Sequence, residues 1–266
     1  MPTKLSPFLK TCMILGYAFL YVPIITLIVF SFNSSRLVTV WQGFSTKWYV
    51  SLLQDDVLLK SAWVSLQVAT LAATFAVILG TLAAVALVRL GRFRGRQFFG
   101  ILTTAPLVMP EVITGLALLL LFVGLEQMIG WPKGRGILTI TIAHTTLCMA
   151  YVTILVRGRL AELDLSLEEA ARDLGARPLK VFTAITLPLI SPALVSGWLL
   201  AFVLSLDDLV LASFVAGPGS STLPMVIFSS IRFGISPQIN ALATIIITAV
   251  AIGVMGAGWL LHRKKY

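Results

Sequence analysis

Glu168-Glu169-Ala170-Ala171-Arg172-Asp173-Leu174-Gly175 is a short polar stretch set between long apolar segments. That is the position of a loop where a membrane protein meets water. Ser166-Leu167-Glu168-Glu169 has the form of a capping box, with Ser166 accepting the Glu169 N–H and Glu169 reaching back. Leu167, Ala170, Ala171 and Leu174 recur at i, i+3, i+4 and i+7, which predicts a short helix with one apolar face. Gly175 suits the C′ stop of that helix. Pro178 suits the first turn of a second helix, running to about Leu187 ahead of Pro188. Two short helices about a glycine elbow form a projecting knob, and a knob needs a socket on another molecule.

The rest of the chain supports the membrane setting. It has 266 residues, 58% hydrophobic and 12% charged, with a mean hydropathy of +0.97. A soluble domain carries about 25% charged residues, so composition alone predicts a polytopic membrane protein, one membrane domain over residues 1–266. The net charge of +9 is not gathered on one soluble surface. The basic residues fall between apolar segments, which predicts a membrane setting and no nucleic-acid partner. Cys12 and Cys148 lie in separate apolar segments without paired spacing, so neither a disulfide nor a metal site is expected. His144 and His262 read as satisfied or interfacial histidines.

A helix needs about 20 apolar residues to cross the hydrocarbon core. Six segments qualify: Thr11 to Phe32, Ser61 to Val88, Phe98 to Leu125, Ile137 to Val156, Leu189 to Val215 and Ile239 to Leu261. The first follows Lys4 and Lys10 but is too long for a signal peptide and lacks a small-x-small cleavage pattern, so it reads as an uncleaved span. Of the 20 Lys and Arg residues, fourteen fall on the side that carries both termini and the Glu169 loop, and six on the other. The positive-inside rule then places both termini and residues 157–188, between spans four and five, in the cytoplasm. The outer loops carry Trp41, Trp48 and Tyr49, as interfacial segments do, and an apolar run, Met225 to Ile231, too short to span.

No G-x-x-x-x-G-K-[ST] loop occurs, so the chain lacks that device for binding ATP. No Ser/His/Asp set or metalloprotease helix appears either, which argues against an enzyme. The informative charges are intramembrane. Each Asp at mid-span costs about 2.5–3.5 kcal/mol on insertion scales, which marks Asp207 and Asp208 as functional candidates suited to a cationic substrate or partner. No Lys or Arg lies in the six spans, so the counter-charge is expected from outside the chain. On a continuous helix Asp208 shares a small-residue stripe with Gly197, Ala201, Ser205 and Ala212, whereas Asp207 shares a bulky one with Leu200, Leu204, Leu211 and Phe214. Small stripes line either a narrow pathway or a close helix contact. Asp208 is accordingly the first pathway candidate, with Asp207 second and Ser205 beside them; in the alternative reading Asp208 hydrogen-bonds at a helix contact. Glu111 follows Pro110 on an interrupted span, where either a substrate passes or a kink is capped.

Several of these stretches resemble one family. Glu169-Ala170-Ala171, Gly175 and Ile185-Thr186-Leu187-Pro188 resemble the "EAA…G…I-LP" signature of permeases of binding-protein-dependent ABC importers. Tyr21-Val22-Pro23, Ser31-Phe32-Asn33, Pro106 to Glu111 and Ser205-Leu206-Asp207-Asp208 are similar to the polyamine branch, for putrescine or spermidine. The resemblance implies an all-α subunit with six transmembrane helices in the bacterial inner membrane. Its coupling helix, Glu168, Glu169, Ala170, Ala171, Leu174, Gly175 and Pro178, would dock on a cytoplasmic ATPase. It also implies a homologous permease as the other half of a heterodimer, two ATPase subunits that carry ATP and Mg, and a periplasmic substrate-binding protein. Sulfate or phosphate is the alternative cargo, although an anion pathway should present helix N-termini or Arg and Lys rather than carboxylates. A secondary transporter is a further alternative.

Overall fold

The computed structural model describes residues 6–36, 40–231 and 237–263. Lys4, Arg232, Lys264 and Lys265, counted above, lie outside the described residues, as do the side chains of His262 and Arg263. The helices in chain order are α1 (Pro7–Phe30), α2 (Lys47–Leu53), α3 (Asp56–Arg89), α4 (Arg96–Val108), α5 (Glu111–Ile129), α6 (Ile137–Glu162), α7 (Ser166–Asp173) and α8 (Pro178–Val181). A π-turn (Phe182–Thr186) leads into α9 (Leu187–Asp207), followed by α10 (Val210–Val215), α11 (Leu223–Ile231) and α12 (Pro237–Arg263). Among the described residues there is no strand, and an isolated antiparallel bridge joins Asn33 to Phe44.

Among the described residues, five helical runs are long and apolar enough to cross a membrane: Pro7–Phe30, Asp56–Arg89, Glu111–Ile129, Ile137–Glu162 and Pro178–Asp207. The sixth expected span corresponds to α12, whose described apolar stretch, Pro237–Gly253, is shorter. The chain divides into two compact units, one of residues up to 59 together with those from 227 on, the other of residues 60–226.

In the first unit α12 packs on α1 and α2. Ser6 caps α1 through its Oγ, 3.3 Å from the Leu9 N–H, with Pro7 in the first turn. The loop after α1 is built on buried Asn33. Its Oδ1 accepts from the backbone of Ser35 (3.2 Å) and Gln42 (2.9 Å), and its Nδ2 donates to the Val40 carbonyl at 2.7 Å. Trp48 Nε1 donates to the Asn33 carbonyl at 2.6 Å. Trp48 is therefore a buried loop anchor, whereas Trp41 is exposed.

The second unit is organised around α6, which packs against α4, α5, α9 and α10. Ala73, Ala76 and Ala84 of α3 meet Cys148, Val152, Val156 and Leu160 of α6 and Ile190 and Ala201 of α9. These small residues bring backbones together: a Cβ on Gly80 would lie 2.9 Å from Val152 Cβ. A second cluster joins Val64 and Val68 to Phe122, Ile140, Ala143, Ala212 and Val215.

One sequence expectation, the interrupted third span, is borne out at Pro110, and two others are corrected. The third span is two helices, because Met109, ahead of Pro110, turns extended at ψ 135° while Pro106 stays inside α4. The residue before a proline is disfavoured in the helical region, and that ends α4. The fifth span is also two helices: Asp208 is extended, with φ −68° and ψ 121°, and the chain restarts as α10. The 100° projection that put Ala212, Leu211 and Phe214 on the stripes of the two aspartates therefore fails beyond Asp207. Finally, the helix that begins at Pro178 does not stop before Pro188. Just before it the ladder widens, with Leu187 N–H bonded to the Phe182 carbonyl five residues back. Pro188 has no N–H to offer the carbonyl four residues back, and the π-turn absorbs that defect without ending the helix.

Candidate functional site

The loop between α6 and α9 begins differently from the expected capping box. Ser166 is the first residue of α7 and makes no side-chain cap. Its N–H donates to Asp164 Oδ1 at 3.0 Å, an Asx-turn that sets a full negative charge at the positive end of the helix. A carboxylate does this better than a hydroxyl, which is why the start shifts. Hydrogen bonds from the backbone and hydroxyl of Ser166 hold the Asp164 carboxyl below the usual carboxylate range. The cap is thus fully present above the ordinary carboxylate pKa and is lost only as pH falls through that lowered value.

The far end of α7 is as the sequence predicts. Gly175 has φ +81°. Its N–H bonds the Arg172 carbonyl at 2.8 Å and the Ala176 N–H bonds the Ala171 carbonyl at 3.0 Å, the paired bonds of a Schellman stop. Pro178 opens α8. The leucines of the predicted apolar face point away from the chain, Leu167 being 48% exposed and Leu174 90%, and Leu179 of α8 is 75% exposed beside them. Glu169, Ala170 and Pro178 are exposed as well, and Ala171 is half-buried.

Glu168 is different. It is the buried residue of α7. Its Oε1 accepts from Arg89 Nε, at the last residue of α3, and from Thr186 Oγ1 of the π-turn, both at 3.0 Å. Arg172 Nη2 stands 3.9 Å from its other oxygen. Neither Arg89 nor Thr186 was identified from the sequence as a partner of Glu168, Thr186 standing there only within the Ile185-Thr186-Leu187-Pro188 stretch. Arg89 counted there only as one basic residue, 79 positions away from Glu168.

The carboxylates expected within the membrane separate by environment. Asp207, the last residue of α9, is exposed, as is Glu111, the first residue of α5. Asp208 is turned inward, its side chain 6% exposed. Its Oδ1 accepts from the Ala212 N–H at 2.9 Å and so satisfies one of the free donors at the start of α10. His144 Nε2 of α6 lies 3.3 Å from the same oxygen without an aligned hydrogen bond to it. Nδ1 of that ring meets Ser205 Oγ at 2.7 Å. Asp208 thus has a buried side-chain neighbour, His144, within the chain. His144 itself is the satisfied histidine that was expected on one of its two nitrogens.

Ser205 also continues a zipper between α9 and α6. Gly197 faces Val152, the Ala201 carbonyl accepts from Cys148 Sγ at 3.5 Å, and Ser205 meets His144. Steps of four residues on both helices, in opposite directions, are ridge-into-groove packing of antiparallel helices. Glu126 accepts the Gly134 N–H at 2.8 Å and ties down the loop after α5. Among the described residues no His, Cys, Asp and Glu cluster could hold a metal ion.

An all-helical chain with a solvent-facing helical loop between long apolar helices now meets its relatives. Residues 76–263 match the profile of the family described as binding-protein-dependent transport system inner membrane component. The chain belongs to that family. It is 60% identical over 265 residues to the putrescine transport system permease protein PotI of Escherichia coli strain K12, covering 100% of this chain and 94% of that one. It is 43% identical over 249 residues to the spermidine/putrescine transport system permease protein PotC of the same strain, covering 94% and 91%. Among solved structures, a chain of a bacterial ABC transporter that imports the acidic polysaccharide alginate superposes with a TM-score of 0.68 at 20% identity, covering 98% of both chains. A chain of the MetNI methionine ABC transporter gives 0.63 at 16% identity, covering 78% of this chain and 95% of that one. At such identities the likeness bears on the fold, which is that of ABC transporter permeases. As a member of this inner-membrane family with several apolar helices, the chain is a multi-pass membrane protein with a transport role.

Proposed function

We propose that this chain is the permease subunit of an ATP-driven importer that moves polyamines, putrescine or spermidine, into the cytoplasm. The observation that carries the substrate class is the end-to-end 60% identity to a putrescine permease. The carboxylates agree with it, since Asp207, Asp208 and Glu111 suit a polycation that sheds its hydration in passage. Asp207 and Glu111 are exposed to meet substrate, while Asp208, with Ser205 and His144, shapes the break between α9 and α10. In this reading six spans, α12 among them, form half a pathway, with both termini in the cytoplasm. A homologous permease supplies the other half as a heterodimer.

ATP and Mg bind two separate ATPase subunits, since this chain carries no phosphate-binding loop. Leu167, Leu174 and Leu179 form the apolar surface that seats on an ATPase, flanked by Glu169, Ala170, Ala171, Gly175 and Pro178. A periplasmic binding protein delivers substrate, as in the structure of the alginate ABC transporter with its loaded periplasmic protein, a chain of which superposes on this one with a TM-score of 0.69. The test is ATPase activity of the reconstituted complex with its binding protein, titrated with putrescine, spermidine, sulfate and phosphate. Stimulation by a polyamine alone is expected. Stimulation by an anion would overturn the reading of the carboxylates, and none by any solute would overturn the importer assignment.

A further inference from the structure

An eight-residue helix is too short to hold itself in water, so α7 depends on what attaches it. Its leucines face outward, and its buried residue is an acid. Burying a carboxylate is costly unless it is paired and hydrogen-bonded, and Glu168 is both. Its two short contacts end on different membrane-crossing helices. Arg89 closes α3, and Thr186 belongs to the π-turn that carries α8 into α9. A polar contact of this kind fixes direction as well as distance, unlike a greasy contact that slides. A single π-turn is also a place where a helix holds an irregular register, a feature frequent at functional sites.

We propose that Glu168 is a positioning residue that ties α7 to α3 and to the π-turn, so that movement imposed on the outer face of α7 reaches both helices through one carboxylate. Glu168 is buried while Leu167 and Leu174 are exposed, so in this proposal it acts from within the loop and not at the ATPase contact to which the family resemblance assigned it. This rests on the importer reading above and adds the internal route by which the loop moves the spans.

The test uses the reconstituted complex with E168Q and T186V, both close in shape to the residues they replace. Polyamine-stimulated ATPase of the unsubstituted complex comes first; its absence would defeat the importer reading rather than this one. With that in hand, both variants should assemble and keep basal hydrolysis. Polyamine carried per ATP should fall, by about tenfold for E168Q, the size of one weakened charge-assisted hydrogen bond. The double variant should be little worse than E168Q, because both remove the same contact. Unchanged transport per ATP in both variants would overturn the proposal. So would loss of assembly in both, since the contact would then serve only to hold the fold.

Discussion

Asp208 both ends one helix and starts the next. Its carboxylate takes up the Ala212 N–H and faces the His144 ring at 3.3 Å. Asparagine keeps an oxygen for Ala212 but removes the charge, so D208N separates the two roles. We expect the complex to assemble and polyamine uptake to fall; a complex that fails to assemble would assign Asp208 to packing alone. Gly175 gives the opposite case, a residue whose role is backbone geometry. Nothing stands within 4 Å of where its Cβ would be, so a substitution meets strain and no clash. At φ +81° valine costs about 1–2 kcal/mol of local strain, whereas asparagine tolerates the region better. G175V should uncouple ATP hydrolysis from transport, with G175N milder; equal, unimpaired transport in both would remove Gly175 from the coupling role. Gly175 was legible in the sequence because a helix stop is local chemistry. Glu168 was legible as a coupling-loop residue but its burial was not, since Arg89 and Thr186 reach it through tertiary structure.

At the scale of elements, the lesson is where helices break. The interruption at Pro110 was announced by the proline itself. The break at Asp208 and the π-turn at Phe182–Thr186 were not. One is set by a side chain bonding its own backbone and the other by a proline accommodated without a break. Periodicity assumes a continuous helix and cannot detect either. Packing of the elements is more predictable, and glycines make it testable. On Gly80 of α3 a Cβ would stand 2.9 Å from Val152 Cβ and 3.0 Å from the Met149 carbonyl, and backbone cannot yield cheaply. On Gly197 of α9 the nearest atoms are at 3.5–3.6 Å, ordinary contact. G80A should therefore lower stability by about 1–3 kcal/mol, while G197A should be neutral or slightly stabilising through helix propensity. Thermal unfolding of the purified subunit in detergent checks this, and equal shifts in both variants would contradict the α3–α6 approach.

For the molecule as a whole, the membrane class was carried by composition, and the orientation rests on charge placement. The second compact unit contains its own test of that orientation. α6 has 26 residues, so at 1.5 Å each it runs about 39 Å, enough to cross a hydrocarbon core of about 30 Å. Lys133 is exposed just before it, and Leu174, 90% exposed, lies beyond it in the loop that carries Glu168. The basic residues in the last part of α6 and in the loop beyond it, Arg157 and Arg159 with Arg172 and Arg177, are what the positive-inside reading uses to place that end in the cytoplasm. Cys12 is exposed and Cys148 buried, so replacing Cys12 with serine leaves a quiet background for single reporters. In intact cells a membrane-impermeant maleimide should label K133C and spare L174C, and lysis should make L174C reactive. Labelling of L174C in intact cells would place the loop outside. That would remove it from any cytoplasmic ATPase, and the coupling reading of Glu169, Ala170, Ala171 and Gly175 would fall with it.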